Sequence, residues 1–77
     1  MHKNKSPTAR ILYIALARAQ MTAETLCRLA AIPQSTWTKH LKRGVFTVPE
    51  LSRIARVLGL TDSEIAQIIR ESNYEKS

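Results

Sequence analysis

Residues 34–43, Gln-Ser-Thr-Trp-Thr-Lys-His-Leu-Lys-Arg, hold the densest set of side chains able to act on a partner. Wound as a helix of about 3.6 residues per turn, they divide into two sides. Trp37 and Leu41, four apart, give an apolar side suited to a core. Ser35, Thr38, Lys39 and Lys42, with Gln34 at the start, give a polar side that carries no acid. Amide and hydroxyl groups beside fixed cations can grip the phosphates of a polyanion while testing the groups between them. Thr36, Thr38, Lys42 and Arg43 are assigned to phosphate oxygens. Lys3, Lys5 and Arg10 form a basic arm that can follow the same backbone.

The charge distribution agrees with a polyanion partner. The 77 residues carry 12 Lys+Arg against 6 Asp+Glu, a net charge of +6. Residues 1–58 hold ten basic side chains and two acidic ones, Glu24 and Glu50, for +8; residues 59–77 set Arg70 and Lys76 against Asp62, Glu64, Glu71 and Glu75, for −2. A basic body with an acidic end implies one binding face and a separate non-binding end. Charge alone leaves DNA, RNA and an anionic membrane surface open. Cys27 is the single cysteine, so no disulfide within the chain is possible and a reducing, cytoplasmic compartment is expected. No secretory leader or long apolar run stands in the sequence, which argues against a membrane. Paired carboxylates, a nucleophile with its base and metal-ligand spacing are all missing, so neither an enzyme nor a metal, cofactor or small-molecule substrate is expected.

Helix punctuation supplies the elements that must position the polar side. Ser6-Pro7 opens a helix reaching about Gln20, with Ile11, Leu12, Ala15, Leu16 and Ala19 as its apolar stripe. Thr22 caps a second, about 23–30, with Met21 and Leu26 as a hydrophobic staple. Ile32-Pro33 breaks it, and the third runs from about Gln34 to Arg43 before Gly44. Thr47 with Glu50 and Thr61 with Glu64 are two capping boxes, stapled by Phe46 with Leu51 and Leu60 with Ile65. They open helices at about 48–58 and 62–72. The expectation is an all-α domain over 6–72, with a flexible basic arm at 1–5 and a tail at 73–77.

Two short helices joined by a three- or four-residue turn, with a small Cys27 where they cross and Ala31 in the bend, have the dimensions of a helix-turn-helix. With Thr22-Ala-Glu-Thr-Leu-Cys, Ala31-Ile-Pro-Gln-Ser-Thr-Trp-Thr-Lys and Leu51-Ser-Arg-Ile-Ala-Arg-Val-Leu-Gly-Leu, residues 12–60 resemble the lambda repressor/Cro-like (xenobiotic-response-element type) helix-turn-helix family. That resemblance implies a five-helix lambda-repressor-like domain binding double-stranded DNA through the major groove. It places Gln34, Ser35 and Lys39 at base edges, where glutamine suits adenine and lysine suits guanine. Four departures stand out. Ala23 replaces a common glutamine, Pro33 replaces a Ser or Thr cap, and His40 occupies a usually apolar position, reading as a packed or groove-edge histidine. Leu16 and Leu41 stand where the family often pairs Arg with Glu, and are expected to touch as an apolar substitute for that ion pair.

Trp37 reads as core rather than as a base-stacking platform. The fifth helix carries Ile65, Ile68 and Ile69 on one stripe, with Ser72 on it and Tyr74 beyond. Similar proteins often dimerise there, and Tyr13 and Ile14 also want cover, so Ile65, Ile68, Ile69 and Tyr74 are assigned to a homodimer contact. The alternative for that stripe is closure of the chain's own core. The function expected is a repressor-like transcriptional regulator, cytoplasmic and at the nucleoid when bound. The competing expectation is a helical adaptor or antitoxin-like protein whose main partner is another protein.

Overall fold

The computed structural model describes residues 7–72, which form five helices: α1 (Pro7–Ala19), α2 (Ala23–Ala30), α3 (Gln34–Arg43), α4 (Val48–Leu58) and α5 (Asp62–Ser72). Each starts and stops where the sequence places it, within one residue. Pro7 is the first residue of α1, and its expected cap Ser6 lies outside the described residues, as do the arm lysines Lys3 and Lys5 and the tail. The Thr22 hydroxyl accepts from the Thr25 amide at 3.1 Å. Both capping boxes are complete: the Glu50 amide donates to the Thr47 hydroxyl and the Thr47 amide to Glu50, and the Thr61–Glu64 pair repeats this. Each box satisfies two amides that the first helical turn leaves without a partner.

The first four helices also close alike. After α1 the Met21 amide reaches back to Leu16 O, after α2 Ile32 to Cys27 O, after α3 Val45 to His40 O and after α4 Leu60 to Ala55 O. This six-to-one bond needs a left-handed residue between, followed by an apolar one that folds back on the helix. Gly44 (φ 80°) and Gly59 (φ 69°) take the left-handed position after α3 and α4, but Gln20 (φ 55°) and Ala31 (φ 59°) take it after α1 and α2. A Cβ in that conformation is strained. Ala31 therefore bends the helix-turn-helix under strain that glycine would relieve.

In the packing, α1 lies against α5 and α2 against α4, while α3 sits on α1 and α2. Leu12, Ala15, Leu26, Ile54 and Ile68 are fully enclosed at the centre. Leu16 and Leu41 are buried in the same cluster, on helices that pack together. Trp37, 3% exposed, meets Phe46 with ring centroids 5.5 Å apart and planes tilted by 45°. Two polar ties were not legible in the sequence. Arg18 donates twice to Glu64, at 2.9 and 3.0 Å, joining α1 to α5. Arg53 Nε donates to the Ala30 carbonyl at 2.8 Å, joining α4 to the end of α2.

Ala31→Gly should raise stability by about 1 kcal/mol, and Gly59→Ala, whose new Cβ would meet nothing within 4 Å, should lower it by a similar amount through backbone strain alone. Thermal melts should move in opposite directions by about 5 °C. The Arg18 guanidinium, followed by the Thr61 amide, holds the Glu64 carboxyl down at about 2 against an ordinary 4.5. A depressed carboxyl stabilises the fold above its unfolded value and loses that contribution as pH falls from 4.5 towards about 2. Acid titration of the melting temperature should therefore show a shallower fall in this window for Glu64→Gln, and a modest one because the pair is exposed to solvent.

Candidate nucleic-acid interface

The candidate site starts from how α3 is held. Its helical bonding begins with the Trp37 amide on the Pro33 carbonyl at 2.9 Å, and Pro33 gives no side-chain cap. The first amides of α3 are thus left to solvent or to a partner. Trp37 and Leu41 are buried, and they turn one side of the helix into the core. Gln34, Ser35, Thr38, Lys39, Lys42 and Arg43 are all exposed, and among the described residues no side chain covers the polar side. Thr36 differs from Thr38, Lys42 and Arg43 in being half-buried beside Trp37. Ten residues make a helix about 15 Å long, and a major groove about 12 Å wide admits one.

The supporting elements are fixed by polar contacts as well as packing. Near the end of α3, His40 Nδ1 lies 2.9 Å from Oε1 of Glu50, the capping residue of α4. The His40 ring also stands edge-on to Phe46, with centroids 5.7 Å apart. Burial opposes charge on Glu50, but the Thr47 amide and the His40 ring together hold its carboxyl below the usual carboxylate range. His40 is therefore packed, as its position suggested, yet it has an acidic partner that the sequence reading missed. Both halves of the signal were present: a histidine where an apolar residue is usual, and a glutamate already placed at the head of the next helix. At the turn of the motif, Arg53 holds the last carbonyl of α2 just before the strained Ala31.

Other assigned residues fall less neatly. Arg10 is exposed on α1. Cys27 is buried where α2 crosses its neighbours, and burial pushes its thiol up, away from the reactive thiolate. Ile68 needs correction: it is 0% exposed within the single chain, so it closes the core and has no surface for a second copy. Ile65 is half-buried against the same core, Ile69 is 40% exposed, and Tyr74 lies outside the described residues. Tyr13 and Ile14 are exposed on α1, the helix that packs on α5. A groove of about 230 Å³ between α4 and α5 is lined by Val48, Leu51, Ser52, Ala55, Ile65 and Ile69. No described helix is long and apolar enough to cross a membrane.

Comparison with characterised proteins and with solved structures gives no match. The sequence model of the Cro/C1-type HTH DNA-binding domain matches residues 12–71, which takes in most of α1, the motif α2–α3, α4 and nearly all of α5. That span includes the exposed side of α3, Trp37 and Leu41 that turn its other side inward, and the His40–Glu50 pair, and five helices in this order are the lambda-repressor-like arrangement. On fold, on the motif and on more than half its length, the chain belongs to the Cro/C1-type helix-turn-helix DNA-binding domain family.

Proposed function

We propose that the protein is a sequence-specific transcriptional regulator of repressor type, reading the major groove of duplex DNA with α3. The observation that carries this reading is the division of α3 by burial. Trp37 and Leu41 face the core, while an acid-free row of amide, hydroxyl and cationic side chains is left open. In this arrangement Gln34, Ser35 and Lys39 meet base edges, and Thr38, Lys42 and Arg43 meet phosphates, with Lys3 and Lys5 of the arm as further phosphate contacts. Thr36 contributes less, being partly covered. Phosphate contacts set the register and supply most of the salt-dependent affinity, whereas base contacts choose the sequence. Bound protein regulates by occupying its site against polymerase.

Two copies related by a twofold axis would read half-sites about 34 Å apart. After the loss of Ile68 from the contact surface, the support for such a dimer is Ile69 on α5 with Tyr13 and Ile14 on α1, all large apolar residues substantially exposed. The apolar α4–α5 groove favours a second reading, an adaptor or antitoxin-like protein whose main partner is another protein.

Selection of bound duplexes from a random library, with sizing of the complex, tests the first reading. A palindromic consensus bound by two copies is expected, and an unselected library at every salt concentration would favour the second. On the selected duplex, Lys39→Ala should cost about 1–3 kcal/mol and relax the choice of base at its position. Lys42→Ala should weaken selected and random duplexes alike and lower the slope of log affinity against log salt by about one. Equal losses for Lys39→Ala on both duplexes would defeat its assignment to a base.

A further inference from the structure

One contact of α3 has no part in the reading above. The last turn of α3 is tied to α4 through His40, whose ring is largely enclosed, with 19% of the side chain exposed. Its bond to Glu50 Oε1 shares that oxygen with the Thr47 amide, 3.0 Å away. Glu50 is held as a carboxylate and can only accept. The tautomer follows: Nδ1 carries the proton and donates, and in the neutral ring Nε2 is left as a bare acceptor.

We propose that His40 is a positioning residue for DNA binding: through Glu50 it fixes the end of α3 to the start of α4, and a second proton on the ring tightens that fixation. The proposal rests on the reading of α3 as the recognition helix. Trp37 and Leu41 hold that helix along one stripe, and a helix held along one stripe can rock about it. His40, three residues on from Trp37, stands at the edge of that stripe, about 60° round the helix; its bond to Glu50 widens the hold and restrains the rocking, and a loss of positioning of about 1 Å is enough to spoil a binding constellation. Protonation leaves the bond in place but sets an imidazolium against a carboxylate, which makes it shorter and stronger. It also puts a cation in the last turn of α3, where the carbonyl end of the helix favours one.

The charged groups around the ring are few among the described residues. Glu50 faces it from α4, and Arg43 of α3 lines the same groove beside Val45, Phe46, Thr47 and Val48. The connection 45–47 has no ionisable side chain. On the other helices packed against α3, Arg10, Arg18, Glu24 and Arg28 are exposed, and Arg18 is engaged by Glu64.

Two variants separate positioning from bulk. His40→Asn keeps an N–H donor near the place of Nδ1 but cannot take a second proton, and His40→Leu supplies the apolar residue usual in the family. Affinity for the duplex selected by the parent is measured at one salt concentration across a pH series wide enough to take an imidazole from neutral at the higher pH to charged at the lower. The parent should bind about three- to tenfold more tightly at the lower pH, whereas His40→Asn should match it at the higher pH and lose the gain. His40→Leu should bind about tenfold more weakly than the parent at the higher pH and show no gain at the lower, with its helical circular dichroism at the assay temperature matching the parent's, so that the loss reads orientation and not unfolding. His2 is common to all three proteins and cancels in the comparison. Nitrogen NMR of the free parent should show the proton on Nδ1.

Retention of the parent's pH profile by His40→Asn, full affinity in His40→Leu, or a proton on Nε2 in the neutral ring would each overturn the proposal. Failure of the parent to bind any duplex would overturn the DNA reading and this proposal together. It is distinguishable because the ring tautomer is read without DNA.

Discussion

A ten-residue helix presents a chosen side to a partner only if its other side is fixed, and in this protein the larger of the two buried side chains that fix it, beside Leu41, is Trp37. An isolated helix of that length is marginal in water, so packing rather than propensity holds α3 together. Trp37 is enclosed and stacked obliquely on Phe46, which itself opens the staple of α4. Truncation of a buried tryptophan typically costs about 3–5 kcal/mol, a large share of the roughly 5–15 kcal/mol that holds a small domain together. The ring that orients the polar side of α3 is thus also a principal contributor to folding. Orientation and stability cannot be separated at this position, and the polar side can vary without disturbing the core.

Helix limits were legible in the sequence because they are written in local chemistry. Thr47 with Glu50 and Thr61 with Glu64 bond within four residues, so the spacing alone reveals them. Gly44 and Gly59 announce a left-handed stop in the same way. Ala31, expected in the bend of the motif, adopts the same conformation, whereas Gln20 does so without leaving any mark, since nothing in a glutamine announces a positive φ. There the apolar residue that follows, Met21 or Ile32, was the available sign: its amide closes the helix and its side chain joins the core.

The candidate site was half legible, and the division follows sequence distance. The two sides of α3 come from one helix and one period, so the buried and exposed sets could be sorted from spacing. Ties between helices could not. His40–Glu50, Ala30–Arg53 and Arg18–Glu64 span 10, 23 and 46 positions, and each depends on how whole elements pack. Ile68 shows the same limit in the apolar residues. A stripe of isoleucines on α5 looks alike whether it faces the chain's own core or a second copy. Only the packing of α5 on α1 shows that Ile68 belongs inside, whereas Ile69, one residue on, remains 40% exposed.

The internal ties also shape the field presented by α3. The acid bonded to α3, Glu50, spends its oxygen on the Thr47 amide and the His40 ring, so its charge is turned towards the head of α4. Glu64 is likewise taken up by the Thr61 amide and Arg18. Lys39, Lys42 and Arg43, by contrast, stand exposed with no acid on their own helix. Since attraction between unpaired exposed charges fades over about 10 Å in 0.1 M salt, what matters to a phosphate arriving at α3 is this local imbalance rather than the net charge of the chain. A chain with the same composition but Glu50 turned outward would carry the same total charge and a weaker grip. The capping box that starts α4 therefore does more than begin a helix: it withdraws a negative charge from the edge of the surface proposed to bind DNA.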